Sequence, residues 1–210
     1  MNNLPVAKEA LPYLVVSSAA TLIVFLFQPW VSIFPGIIFL FFLYFFRNPR
    51  RKVILNEKVA LSPADGIIMN ITKVQETEFL KKEVWKVTIF LSIFNVHLNR
   101  SPVSGTVEAL KYVPGKFFPA FKSHASDINE RNYVIFNTGK TSVMVCQITG
   151  FIARRIVCWV KRGESLNQGE LFGLIKFGSC TEIYLPLNYL IVVRKGDKVK
   201  GGLSVIGRLK

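Results

Sequence analysis

Three residue types that together activate a nucleophile are spread along this 210-residue chain. Asp65 stands in Pro63-Ala64-Asp65-Gly66, His97 in the run FNVHLNRSPVSG (94–105), and Ser179 in Phe177-Gly178-Ser179-Cys180. A serine hydroxyl is a weak nucleophile until a base takes its proton, and a carboxylate can orient that base. Ser179 follows a glycine, which leaves the preceding carbonyl open to attack and tolerates a strained turn. In a chain with no other evident cofactor site, this points to a serine that attacks its own backbone at Gly178–Ser179. Each residue also has an ordinary structural explanation: Asp-Gly is a good turn pair, a histidine at a strand end often only holds a hydrogen bond, and any strand can carry a serine. The combination, not any one member, indicates chemistry.

Other chemistries are poorly supplied. With two histidines, His97 and His124, and three cysteines lacking metal-type spacing, no metal site is expected. Cys146, Cys158 and Cys180 read as reduced cytosolic thiols. The net charge of +14 requires an anionic partner. No stripe of aromatics interleaved with arginine and no reading helix favours nucleic acid. An anionic membrane surface is the expected partner, because juxtamembrane Lys and Arg gain about 1 kcal/mol each near such a leaflet.

The elements that must position these residues fall into two classes. From Ala10 to Phe46 there is no charged residue. One helix of that length would be about 55 Å long, far beyond the ~30 Å hydrocarbon core, and Pro29 and Pro35 interrupt it. The sequence predicts two short apolar helices, about residues 12–27 and 32–46, turning at Gln28-Pro29-Trp30. They form a membrane hairpin that either spans or re-enters. A cleaved signal peptide is disfavoured by the length and by the lack of a small-x-small cleavage site. Lys8 before the hairpin and Arg47, Arg50, Arg51 and Lys52 after it predict that both ends, and the soluble domain, face the cytoplasm. The expected organisation is a hairpin over 1–46, a basic linker over 47–58 and a catalytic β domain over 59–210.

Beyond the linker, β-branched and aromatic runs alternate with Gly, Pro and Asn, predicting a mainly β domain. Residues 84–96 read as one long strand, and Asn137-Thr138-Gly139-Lys140 as a hairpin turn between 133–136 and 142–148. Two internal repeats add detail. Ser62-Pro63-x-x-Gly66-x-Ile68 recurs as Ser101-Pro102-x-x-Gly105-x-Val107. Val160-x-x-Gly163-Glu164-x-Leu166-x-x-Gly169 recurs as Val193-x-x-Gly196-Asp197-x-Val199-x-x-Gly202. Such units are similar to the flattened hairpins of biotinyl and lipoyl carrier modules and predict a duplicated β sandwich or barrel.

The segments SPADG (62–66), FNVHLNRSPVSG (94–105), NERN (129–132), GFIARRIVCWV (150–160) and FGS (177–179), in this order, resemble the short membrane-associated form of phosphatidylserine decarboxylase. The resemblance covers residues 45–210, and an apolar N-terminal anchor is also typical of that family. It implies a proenzyme that cuts itself at Gly178-Ser179, with Ser179 as nucleophile, His97 as base and Asp65 as the group orienting that base. The products would be a β chain of residues 1–178 and an α chain of residues 179–210, held together as a heterodimer. Residue 179 would become a pyruvoyl group, the covalent cofactor. Its ketone would form a Schiff base with the amine of phosphatidylserine and draw off the electrons released with CO2, leaving phosphatidylethanolamine, with His97 the candidate proton donor.

Other matches carry roles by the same resemblance. Arg154 or Arg155 would meet the lipid phosphate, at most one of them because strand neighbours face opposite ways. The loop PGKFFPAFKSHAS (114–126), with Phe117, Phe118 and Phe121, either packs on the core or dips into the bilayer. Two positions depart from the family's usual pattern: His124 stands where lysine is frequent and receives no role, and Cys180 stands where arginine is frequent. Two other readings compete. A non-catalytic carrier-like module would need a modifiable lysine at a hairpin tip, and Lys176 lacks the expected neighbours. A membrane-anchored peptidase would keep its serine intact. Acyl-chain preference and any homo-oligomer are left open.

Overall fold

The computed structural model describes residues 4–118, 128–150, 155–176 and 179–210. It divides into two compact units, residues 1–50 and 51–210. In the first, a short 3-10 turn (Lys8–Ala10) leads into α1 (Leu11–Phe27), followed by α2 (Ile33–Phe45). Residues 8–27 form a helical stretch of 20 residues, long and apolar enough to cross a membrane, while α2 is shorter. The break falls at the Gln28-Pro29-Trp30 turn, since a proline cannot donate to the preceding turn of helix. Tyr13 packs on Phe42 and Phe46 with ring centroids 5.1 and 5.4 Å apart, pairing the helices as a hairpin.

The elements of the second unit, among the described residues, are β-strands. Its strands are β1 (Val59–Leu61), β2 (Gly66–Glu76), β3 (Lys82–Leu91), β4 (Leu98–Arg100), β5 (Gly105–Val113), β6 (Arg131–Asn137), β7 (Ser142–Thr149), β8 (Arg155–Cys158), β9 (Ser165–Leu166), β10 (Leu171–Lys176), β11 (Ser179–Pro186), β12 (Tyr189–Ile191), β13 (Lys198–Val199) and β14 (Val205–Leu209). They form a curled eight-stranded sheet, β13-β2-β3-β11-β7-β6-β5-β9, and two three-stranded sheets, β1-β14-β12 and β4-β10-β8. All pairings between these strands are antiparallel.

These orders reveal a nested duplication. Strands β4 to β10 form one continuous copy; β1-β2-β3 and β11-β12-β13-β14 form the other. In the large sheet the halves β13-β2-β3-β11 and β9-β5-β6-β7 mirror each other, and the small sheets correspond as β1-β14-β12 and β4-β10-β8. The equivalence extends to single hydrogen bonds. Gly196 N–H donates to the Ile68 carbonyl and Gly163 N–H to that of Val107, both at 2.8 Å. Gly202 N–H donates to the Ser62 carbonyl and Gly169 N–H to that of Ser101, again both at 2.8 Å. The Ser62 and Ser101 hydroxyls each close a turn onto a carbonyl two residues on, at 2.7 and 2.6 Å. Where the second copy joins β6 to β7 by a tight hairpin, the first copy opens between β3 and β11 to admit the whole second copy.

The main core lies on the face of the large sheet carrying Val87, Ile89, Leu91, Val134, Phe136, Val145 and Ile183, against Phe172, Tyr189 and Ile206. The predicted long strand over 84–96 stops at Leu91. There the Ser92 N–H and hydroxyl both donate to Asn95 Oδ1 at 2.9 Å and fold residues 92–95 into a turn. Gly66 and Gly105 open the two equivalent long strands because a neighbouring backbone approaches closely. A Cβ at Gly105 would stand 2.5 Å from the Asn137 carbonyl oxygen. Gly105→Ala should therefore destabilise the protein by about 1–3 kcal/mol, while Thr106→Ala on the exposed side should stay within about 0.5 kcal/mol. Thermal melting of the two variants checks the contrast.

Candidate active site

The two crossings between the nested copies meet at one end of the large sheet. The outgoing crossing is residues 92–97, ending in His97; the return crossing follows Lys176 and ends at Ser179. They must lie close, because Leu91 pairs with Ser179 across β3 and β11, while Leu98 pairs with Leu174 across β4 and β10. The Ile175 N–H also donates to the His97 carbonyl at 3.2 Å. Ser179 is fully buried, set between Leu91 and Thr149 at the end of β11, and its Oγ makes no hydrogen bond among the described residues. Burying a hydroxyl without a partner costs about 1–3 kcal/mol, so such a group in a folded protein needs a reason.

His97 is fully buried and its Nδ1 lies 3.0 Å from the Asn95 carbonyl oxygen. A carbonyl only accepts, so Nδ1 carries the hydrogen of this contact, and in the neutral tautomer Nε2 is the acceptor nitrogen. The Ser92–Asn95 turn thus sets the tautomer. Asp65 stands one residue before β2, whose Ile67 pairs with Phe90, itself the partner of Cys180. That register puts Asp65 about two strand spacings, roughly 10 Å, across the sheet from the line of Ser179. Its carboxylate is held by Arg51, with Nη1–Oδ1 at 2.7 Å and Nη2–Oδ2 at 2.8 Å, and by the Gly201 N–H at 2.8 Å. The described contact of His97 Nδ1 is therefore a backbone carbonyl, and Asp65 answers to Arg51, the first residue of the second unit. Arg100 lies buried in the same pocket and donates to the Gly169 carbonyl at 3.0 Å. Burial, then repulsion from Arg51, lowers its pKa to about 10, with Asp65 opposing.

A chain of buried amides braces this end of the sheet. Asn132 Nδ2 donates to Gln147 Oε1 at 2.9 Å, Gln147 Nε2 to Asn99 Oδ1 at 2.9 Å, and Asn99 Nδ2 to Thr181 Oγ1 at 3.2 Å. It links β6, β7, β4 and β11 and ends two residues from Ser179, on the same face of β11. Asn129 Nδ2 reaches the carbonyls of Phe118 and Thr149, both at 2.8 Å, tying the aromatic loop to the strand that flanks Ser179. These brace residues carried no chemical signal in the sequence. Asn99, Asn129 and Asn132 were visible only as motif letters, and Gln147 was not visible at all. Cys180 turns to the opposite face, beside Phe90 and Ile148, where burial pushes its thiol pKa far up.

Of the other residues singled out in the sequence, Arg155 is exposed on β8 and pairs with Lys176, at the start of the return crossing. Phe117 and Phe118 are 37% and 42% exposed. Gly178, Arg154 and Phe121 lie outside the described residues. Phe94, visible in the sequence only as the first letter of the motif 94–105, is 62% exposed in the turn that carries Asn95.

A family profile described as phosphatidylserine decarboxylase matches residues 38–207. The chain belongs to the phosphatidylserine decarboxylase family. The phosphatidylserine decarboxylase proenzyme of Carboxydothermus hydrogenoformans is 52% identical over 204 residues, covering 97% of this chain and 96% of that one. Its counterpart from Syntrophus aciditrophicus is 43% identical over 206 residues, with 96% of each chain covered. The proenzyme of Geotalea uraniireducens is 39% identical over 210 residues, covering 99% and 98%. The resemblance carried by the five motifs thus holds at the level of the family, and with it the expected class of enzyme, a decarboxylase. Within this family member, the amide chain makes a test possible. Gln147→Leu removes the link between Asn132 and Asn99 and leaves two buried amides short of a partner. It should cost about 2–4 kcal/mol of stability, whereas Thr141→Ala, in the remote β6–β7 hairpin, should leave the melting temperature within a few degrees.

Proposed function

We propose that this chain is a self-processing, pyruvoyl-dependent phosphatidylserine decarboxylase that works at a membrane surface. The observation that carries the reading is the buried Oγ of Ser179, which has no partner among the described residues, beside the crossing that ends in the buried His97. In processing, His97 Nε2 takes the Ser179 hydroxyl proton while Oγ bonds to the Gly178 carbonyl carbon. The Gly178–Ser179 C–N bond breaks, the freed amine takes the proton back from His97, and an ester remains. Removal of the Ser179 Cα proton then expels the Gly178 carboxylate from Cβ. Water replaces the nitrogen of the resulting dehydroalanine, and ammonia leaves. Asp65 stabilises the positive charge that develops on His97 in the first step.

The residues present suit a pyruvoyl group at 179: the position is fully buried, anchored between two strands, and its hydroxyl is committed to nothing else. When in place, that group supplies a ketone that condenses with an amine and accepts the electron pair released with CO2. The protein's part is to exclude water with Leu91 and the amide chain, and to hold the proton that the substrate α-carbon takes up on His97 Nε2. Arg155, exposed beside the return crossing, is the candidate partner of the lipid phosphate. Because a diacyl lipid loses about 0.8 kcal/mol for each methylene withdrawn from the bilayer, the site has to meet the interface. The apolar helices, the cations Arg47, Arg50 and Lys52, and the exposed Phe94, Phe117 and Phe118 suit such a contact. Positive charge on both flanks of the hairpin favours the cytoplasmic leaflet.

The intact mass of the purified protein tests the core of this reading. Two chains are expected, with the fragment 179–210 lighter than its sequence mass by the difference between serine and pyruvoyl. Ser179→Ala and His97→Ala should each stay one 210-residue chain and be inactive. A single uncut species that is active on lipid rules the reading out. Interface contact has its own test. Replacing Phe117, Phe118 and Phe121 with Ser should lower turnover on vesicles roughly tenfold or more while changing that on a short-chain, water-soluble phosphatidylserine less than about twofold. Equal loss on both would mean that the rings serve the core.

A further inference from the structure

Arg51 belongs by sequence to a basic run that reads as a lipid contact, yet its side chain is only 6% exposed. Both terminal nitrogens of its guanidinium are spent on the two oxygens of Asp65, at 2.7 and 2.8 Å, and Nη1 also donates to the Gly201 carbonyl. We infer that Arg51 is a positioning residue of the self-cleavage machinery, acting through Asp65 rather than on the membrane. The inference rests on the reading of Asp65 as a processing residue.

The nested duplication supplies an internal control. Ser104 occupies in the second copy the place of Asp65 in the first, three residues after the matching Ser-Pro serine. Gln168 N–H donates to Ser104 Oγ at 3.0 Å, as Gly201 N–H donates to Asp65 Oδ1 at 2.8 Å. A neutral hydroxyl therefore closes this turn adequately, and the negative charge at 65 is not needed to close it. A buried carboxylate is costly unless paired and hydrogen-bonded. Arg51 meets that cost with a planar fork that fixes the carboxylate plane, which a lysine ammonium cannot do. Oδ1 accepts from both Arg51 and Gly201, whereas Oδ2 accepts one bond only and keeps a lone-pair site. The carboxylate is thus locked in one orientation without being saturated. Arg51 is also the first residue of the β unit, six residues after the end of α2, so the chain leaving the apolar hairpin leads straight into this contact.

The experiment follows appearance of the α chain in full-length protein synthesised into anionic vesicles, for Arg51→Ala, Arg51→Lys, Asp65→Asn and Arg51→Ala/Asp65→Asn. Arg51→Ala should slow cleavage roughly tenfold or more, and Arg51→Lys should recover only part of the rate. Free guanidinium or methylguanidinium should speed cleavage of Arg51→Ala but not of the double variant. Asp65→Asn should be slow by itself, and adding Arg51→Ala to it should change the rate by less than about twofold. A wild-type rate for Arg51→Ala overturns the inference. So does a slow Arg51→Ala that guanidinium does not rescue and whose defect persists undiminished on the Asp65→Asn background, for then Arg51 serves only the fold. If Arg51→Ala does not fold by melting, Arg51→Lys decides: a folded variant cleaving at full rate overturns the inference. Asp65→Asn cleaving normally overturns both the role of Asp65 and that of Arg51. Slow cleavage by Asp65→Asn with normal cleavage by Arg51→Ala overturns the Arg51 inference alone.

Discussion

The pairing of β3 with β11 is the constraint on which the rest of the β unit depends. In the second copy the equivalent strands, β6 and β7, are joined by a short turn, Thr138 N–H closing on the Thr141 carbonyl at 2.9 Å. In the first copy the same pair is held together while an entire second copy leaves from one strand and returns to the other. The chain must therefore cross between copies twice at one place. An outgoing crossing ending in His97 and a return crossing ending in Ser179 are brought together by sheet register alone, with no loop required to fold back. Residues on sheet ends are held more rigidly than residues on long loops.

Polar satisfaction distinguishes what braces the site from what can react in it. Asn132, Gln147, Asn99 and Thr181 consume one another's donors and acceptors inside the core. On the opposite face of β11, Glu182 is answered by Lys86 at 3.0 Å, the Thr88 hydroxyl at 3.2 Å and the Tyr184 hydroxyl at 2.6 Å. Both networks are buried and both are saturated enough to act as fixed structure. Ser179, two residues before Thr181 on the same face of that strand, is equally buried, and its hydroxyl has no hydrogen-bond partner among the described residues. The strand that carries it is paired on both sides, with β3 and with β7.

Charge is divided in a similar way. The run after α2 looks uniform, but Arg51 turns inward to the only carboxylate of the SPADG turn. Arg100 approaches the same pocket from the second copy and is pulled to a lower pKa by burial and by Arg51. The glycine-rich turns of Gly169 and Gly202 allow this crowding: a Cβ at Gly202 would stand 2.9 Å from Arg100 Cδ.

The sequence by itself determined whatever depends on neighbours within a few residues. The apolar helices, the break at Pro29, the Ser-Pro turns and the paired Gly-acidic turns were legible because each is a local preference for a helix, a hairpin or a positive φ. Ser179, His97 and Asp65 were legible as letters in motifs. Only the tertiary structure decided what they touch. The β3–β11 pairing of Leu91 with Ser179 closes over 87 residues of intervening chain, and no local pattern records a partner that distant. His97 gained an Asn95 carbonyl because a side-chain hydrogen bond ended the predicted strand at Leu91. Arg51, indistinguishable in sequence from Arg50 or Lys52, became a buried clamp on Asp65. Burial and pairing are properties of a neighbourhood assembled from remote segments, whereas a basic run or a glycine turn carries its meaning in its own residues.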